Sequence, residues 1–158
     1  LSKRKLEFIE FLNIAVQLAK ALVSLHSHKI IHKDIKADNI VINPKTGEVK
    51  LTDFSIASRL SNENLQLTNP NQLEGTLTYM SPEQTGRMNR ALDYRSDFYS
   101  LGITFYEMLT GRLPFQSNDP LELIHSHIAK QPTEIQELNP EVPKAIANVV
   151  VKLMAKNA

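Results

Sequence analysis

The residues best equipped for chemistry lie in the run His32-Lys33-Asp34-Ile35-Lys36-Ala37-Asp38-Asn39, where polar side chains sit between apolar segments. Asp34 offers a proton acceptor, Lys36 two places on a phosphate clamp, and Asn39 five places on an amide oxygen for a metal. One short turn of backbone presents all three. A second oxygen ligand, Asp53, stands in Thr52-Asp53-Phe54-Ser55, and oxygens of this kind suit a cation.

Asn39 and Asp53 must be brought together by what lies between them. Asn39-Ile40-Val41-Ile42, then Asn43-Pro44-Lys45-Thr46-Gly47, then Glu48-Val49-Lys50-Leu51 reads as strand, tight turn, strand. Closing that hairpin lets Asn39 and Asp53 face one another across a gap that a cation can fill. Upstream, apolar residues from Phe8 to Leu25 recur at spacings of three and four, which predicts a long amphipathic helix from Glu7 to about His28. Ile30-Ile31 is expected as a short buried bridge into the polar run. Ser58 to about Asn71 is polar and aperiodic and is expected as a long functional loop. A helix apolar nearly all round, from about Ser96 to Leu109 and stopped by Gly111, belongs at the centre of a core. Asp119-Pro120 opens a further helix to about Lys130, and a last one starts near Pro143.

The bulk properties set bounds. At 158 residues and 42% hydrophobic, the chain suits one domain with a single core. A formal net charge of +1 gives no field to draw it to nucleic acid or an anionic membrane. There is no Cys, which excludes disulfides, thiolate nucleophiles and Cys-bound zinc, and suits a cytoplasmic location. No apolar run approaching the roughly 20 residues of a bilayer span is expected, so direct membrane insertion is not expected either. The chain begins without Met and lacks the order of a secretion signal, which reads as an excised piece.

The ordered motifs H-K-D-x-K-x-x-N, D-F-S, G-T-x-x-Y-M-S-P-E and D-F-Y-S-L-G resemble the C-terminal lobe of eukaryotic-type (Hanks-type) Ser/Thr protein kinases over almost the whole chain. The resemblance implies a mainly α, α+β lobe with a small β-hairpin beside the catalytic loop, a partial kinase domain over 1–158 that stops before the last helices. No glycine-rich loop or V-A-I-K strand of an N-terminal lobe is present among five glycines. By motif position Asp34 would handle the substrate hydroxyl proton, Lys36 would neutralise the transferred phosphoryl group, and Asn39 and Asp53 would bind magnesium, with ATP as donor. Phosphoryl transfer asks for this positioning and charge neutralisation more than for covalent chemistry. Thr76 resembles the hydroxyl near Asp34 and Lys36 in Ser/Thr-specific members. His32 resembles a residue bonding the backbone near the metal loop, and Asp97 the buried carboxylate joining loop to central helix. Glu83 would be a buried acid whose cation, an Arg beyond the last helix, this chain does not supply. Protein substrates with Ser or Thr are implied, and the run Ser117 to Pro132 with Gly86-Arg87-Met88-Asn89-Arg90 is similar to kinase domains heading large bacterial signalling chains with ATPase-like, GAF and histidine kinase modules.

Two departures bear on mechanism. Ser55 replaces the usual Gly after Asp53-Phe54, where a Cβ is expected to narrow the backbone's freedom. Lys33 replaces an Arg that in many members receives a phosphorylated loop residue, and the matching loop position is Gln72, so no phosphorylation switch is expected there. These keep a second reading open, a pseudokinase-like regulatory module controlling attached domains. The pairs His26/His28 and His125/His127 are not expected to bind zinc, because residues two apart on a helix point to different faces, and surface or partly buried positions are expected for them.

Overall fold

A helix with an apolar residue every three or four positions must bury that stripe against another element, and two such helices form the centre of this molecule. The computed structural model describes residues 5–60, 77–87 and 91–156. Helix α1, Phe8–Ser27, buries Phe11, Ile14, Leu18 and Leu22. It packs on α2, Arg95–Thr110, which is buried on almost every side. The Phe11 and Phe105 rings meet edge-on at 5.3 Å between centroids. Each such buried side chain contributes about 1.5 to 3 kcal/mol. By length and composition alone α1 could span a bilayer, against the sequence expectation. Here its buried stripe makes it a core helix of a packed lobe, in contact with α2 and with strands on its other side.

The ends of these helices follow their sequence signals. Gly111 closes α2 in the left-handed conformation, φ 71°, and its N–H donates to the Glu107 carbonyl at 2.7 Å. Helix α3, Pro120–Ala129, starts with Asp119 Oδ1 accepting from the Leu121 N–H at 2.9 Å. A one-turn helix α4, Ile135–Leu138, was not expected, and α5, Lys144–Leu153, lies against α2. That last contact is close because residue 102 is a glycine. A Cβ on Gly102 would stand 2.7 Å from Met154 Cγ and 2.9 Å from Leu153 Cβ.

Among the described residues four short strands form two antiparallel pairs. β2, Ile40–Ile42, pairs with β3, Val49–Leu51, in the register Ile40 to Leu51, Val41 to Lys50 and Ile42 to Val49. Gly47, at φ 70°, makes the turn possible. A lone hairpin is marginal in water, and α1 supports this one. Gln17 Oε1 accepts from the Val49 N–H at 2.9 Å while its Nε2 donates to the Gly47 carbonyl at 3.0 Å. The second pair joins β1, Ile30–Ile31, to β4, Ser58–Arg59. The expected loop from Ser58 therefore opens with a strand, and residues 61–76 lie outside the described residues. The architecture is the mainly helical α+β lobe with a hairpin.

Candidate active site

The hairpin closes the chain between Asn39 and Thr52 as its sequence predicts. β2 starts one residue after Asn39 and β3 ends one residue before Thr52, whose N–H and Oγ1 both donate to the Asn39 carbonyl, at 2.9 and 3.1 Å. Asn39 and Asp53 thus flank the open end of the ladder, opposite the turn. Ala37–Asn39 form a 3-10 turn that folds the Asn39 side chain back on Asp34. Asn39 Nδ2 donates to the Asp34 carbonyl at 2.8 Å and to Asp34 Oδ2 at 2.9 Å. Both amide hydrogens are then used, and Asn39 Oδ1 remains as an acceptor. Lys36 Nζ reaches the same Asp34 Oδ2 at 2.7 Å. Asp34 is buried, and its other oxygen, Oδ1, has no partner among the described residues. A buried carboxylate oxygen without a donor is costly and calls for an explanation.

The loop around Asp34 is held from three sides. Asp97, fully buried near the start of α2, accepts from the His32 N–H at 2.9 Å and the Lys33 N–H at 2.8 Å. Lys33 adopts the left-handed conformation, φ 69°, uncommon for a residue with a side chain. Its carbonyl accepts from Gln84 Nε2 at 2.9 Å, and Gln84 Oε1 in turn accepts from Ser81 N–H and Oγ–H, each at 3.0 Å. The His32 ring donates from Nε2 to the Thr52 carbonyl at 3.1 Å and accepts the Asp34 N–H on Nδ1 at 3.3 Å. Those bonds need a neutral ring. Burial lowers the His32 pKa accordingly, against the opposing pull of Asp97. The Phe54 ring covers His32 at 4.6 Å between centroids.

Asp53 is exposed and left-handed, φ 61°, with Oδ1 accepting from the Ser55 N–H at 3.2 Å. Hydrogen bonding by Ser55 holds the Asp53 carboxyl below its usual range. Among the described residues Asp53 is left-handed and Ser55 is not. Tyr79 ties the segment 77–87 to α2, donating to Glu107 Oε2 at 2.6 Å, and burial pushes the Glu107 carboxyl up.

Other expectations need correction. Glu83, expected to be buried, is half-buried and accepts from Ser96 Oγ at 2.6 Å. It borders a cavity of about 270 Å3 shared with Asp93, Phe98 and Lys152, away from Asp34. His127 is fully buried against Tyr99, beyond the partly buried position expected. His26 is bound to Asp97 Oδ2 at 2.9 Å, while His28 and His125 are exposed. Among the described residues no three His, Asp or Glu side chains converge on a metal. Thr76, Thr68 and Gln72 lie outside the described residues.

Asp34 is clamped by a lysine and an amide, with a second carboxylate beyond the open end of the hairpin, and comparison with known proteins gives the class. The chain belongs to the protein kinase family, whose domain model matches residues 2–158. Among its relatives, a probable serine/threonine-protein kinase PknB of Lactococcus lactis is 39% identical over 94% of this chain and 23% of its own length. The serine/threonine-protein kinase PrkC of Bacillus subtilis is 36% identical over 94% of this chain and 22% of its length. The hybrid signal transduction histidine kinase G of Dictyostelium discoideum is 36% identical over 93% of this chain and 6% of its length. The chain thus spans less than a quarter of these relatives.

Proposed function

We propose that this chain is the catalytic C-terminal lobe of an ATP- and magnesium-dependent Ser/Thr protein kinase. The observation that carries the reading is the division of labour in one carboxylate. Asp34 Oδ2 is fixed by Lys36 and Asn39, while buried Oδ1 has no donor among the described residues. A substrate Ser or Thr hydroxyl supplies that missing donor. As its oxygen bonds to the γ-phosphorus of ATP and the bond to ADP breaks, the hydroxyl proton passes to Asp34 Oδ1. Lys36 Nζ holds positive charge beside the transferred group. Asn39 Oδ1 and the ionised Asp53 carboxylate are hard oxygen donors that fit magnesium, which supplies charge neutralisation on the phosphates.

The wall that grips ATP from the other side is assigned to the parent chain, so the isolated lobe is inactive in this reading. We place it in the cytoplasm, where ATP is available, attached to further signalling domains, a reading supported by the small share of each relative that it covers. Radiolabelled phosphate transfer by the parent protein tests the proposal. Asp34→Asn should lower transfer about 10²- to 10⁴-fold while leaving nucleotide binding unchanged. Nucleotide binding without any transfer by the wild type, under magnesium or manganese, would replace the enzyme with a pseudokinase-like regulatory module.

A further inference from the structure

The peptide unit that leads into Asp34 has both of its polar groups bonded to side chains. Its N–H, on Asp34, donates to His32 Nδ1 at 3.3 Å, and its carbonyl, on Lys33, accepts from Gln84 Nε2 at 2.9 Å. Lys33 and Asp34 belong to no helix or strand, so no backbone ladder sets the plane of this unit. Lys33 is also left-handed, φ 69°, a shape that an unsupported residue with a side chain seldom keeps.

Gln84 is itself built into place. It sits in the 3-10 turn Glu83–Thr85, one place after the G-T-x-x-Y-M-S-P-E run. Its N–H donates to the Ser81 carbonyl at 3.1 Å, and its Oε1 accepts from the Ser81 N–H and Oγ–H, at 3.0 Å each. An amide N–H only donates and a carbonyl only accepts, which fixes the side chain with Oε1 on Ser81 and Nε2 on Lys33. Gln84 is therefore a strut between segment 77–87 and the peptide before Asp34. Turning the Lys33 carbonyl away from it would swing Asp34, whose Oδ2 is held by Lys36 and Asn39. We propose that Gln84 is a positioning residue for phosphoryl transfer, fixing the plane of the Lys33–Asp34 peptide so that Asp34 Oδ1 meets the substrate hydroxyl.

This inference rests on the kinase reading, and its test separates the two. In the parent protein, Gln84→Met removes donor and acceptor at similar length, whereas Gln84→Glu keeps an acceptor for Ser81 and loses the donor to Lys33. Both variants should lower kcat about fivefold to tenfold with KM for ATP within about twofold, and should speed hydrogen exchange at the Asp34 amide about tenfold while the α2 amides stay unchanged. Gln84 is partly exposed, and should Gln84→Met not fold, Gln84→Glu carries both measurements. A Gln84→Glu protein with the kcat of the wild type would assign the role to the Ser81 contacts and overturn the proposal. A loss of kcat without faster exchange at Asp34, or with an equal rise across α2, overturns it as well. Exchange is read without ATP, so a wild-type protein that transfers no phosphate sinks the kinase reading, and exchange alone then decides whether Gln84 sets the peptide.

Discussion

Two buried polar networks leave α2 two residues apart, one at Asp97 and one at Tyr99, and they are built from opposite charges. Around Asp97 the central group is a carboxylate collecting donors from the catalytic loop and His26. Around Tyr99 it is an ammonium. Lys156 Nζ donates to Tyr99 Oη at 3.2 Å, the Ser126 carbonyl at 3.2 Å and the His127 carbonyl at 2.7 Å, and lies 4.3 Å from the Phe115 ring centroid. Tyr99 Oη–H passes the chain on to His127 Nδ1 at 3.0 Å. The backbones differ too. Among the described residues the non-glycine left-handed positions are Lys29, Lys33 and Asp53, all beside the catalytic loop and none in the Tyr99 network. Strain of this kind costs on the order of 1 to 3 kcal/mol per residue and persists only where its surroundings impose it. The near network imposes a shape on the loop, and the far network joins α2, α3 and the end of α5.

The sharpest way to break this contrast is Asp97→Ala, which strands two backbone donors and His26 in the interior. A loss of about 3 to 5 kcal/mol is expected, read as faster exchange of the most protected α2 amides in the parent protein. A loss below about 1 kcal/mol would mean that the loop holds its shape without the carboxylate.

A pH series probes the far network. Burial first, and Lys156 second, push the His127 pKa down from the ordinary 6.5 to about 4. Between those values the unfolded chain binds the extra proton, so stability is complete above 6.5 and falls as pH drops toward 4. The slope is about 1.4 kcal/mol per pH unit, or about 2 kcal/mol lost by about pH 5, with His32 adding in the same direction. Denaturant unfolding of this lobe within the parent should show the slope, and His127→Phe should flatten it. A slope unchanged by that substitution would assign the whole effect to the catalytic side.

The smallest effect is expected from Lys156→Met. Burial pulls the Lys156 pKa down to about 8, so its charge already sits at a cost that offsets part of its three hydrogen bonds. Unfolding should show a loss of about 1 kcal/mol, with phosphate transfer changed by less than about twofold. A stability loss as large as that of the Asp97 variant would show the two networks to be coupled through α2.

Much of this was legible in the chain because it is written in local periods. The bounds of α1, α2 and α3 follow from apolar spacing, a left-handed glycine and an Asp-Pro start, and the hairpin follows from its Pro-to-Gly turn. What escaped the sequence is long-range and short in extent. Ile30–Ile31 finds Ser58–Arg59 far along the chain, and a two-residue strand carries no period. The single turn of α4 is equally silent. At the site, the residue types were readable from motif resemblance, while the split of Asp34 into a clamped and a buried, unpartnered oxygen needed coordinates. His26 was set aside because two histidines at that spacing make a poor metal site. Its true partner lies 71 residues away, beyond any spacing argument. The left-handed backbone of Asp53, two places before Ser55, has no mark in the sequence.

Gly102 joins the two halves of this comparison in a way that neither network shows alone. With no room for a methyl group between it and Met154, the distance between α2 and α5 is set by an absent atom. It acts as a spacer of zero thickness, one helical turn and a little more along α2 from Asp97. Any residue that thickened it would wedge α5 outward and lift Lys156 off Phe115, while Asp97, on the part of α2 that faces α1 and the loop, would keep its donors. The fold thereby gives the far joint its own adjustment, separable from the alignment of the catalytic one.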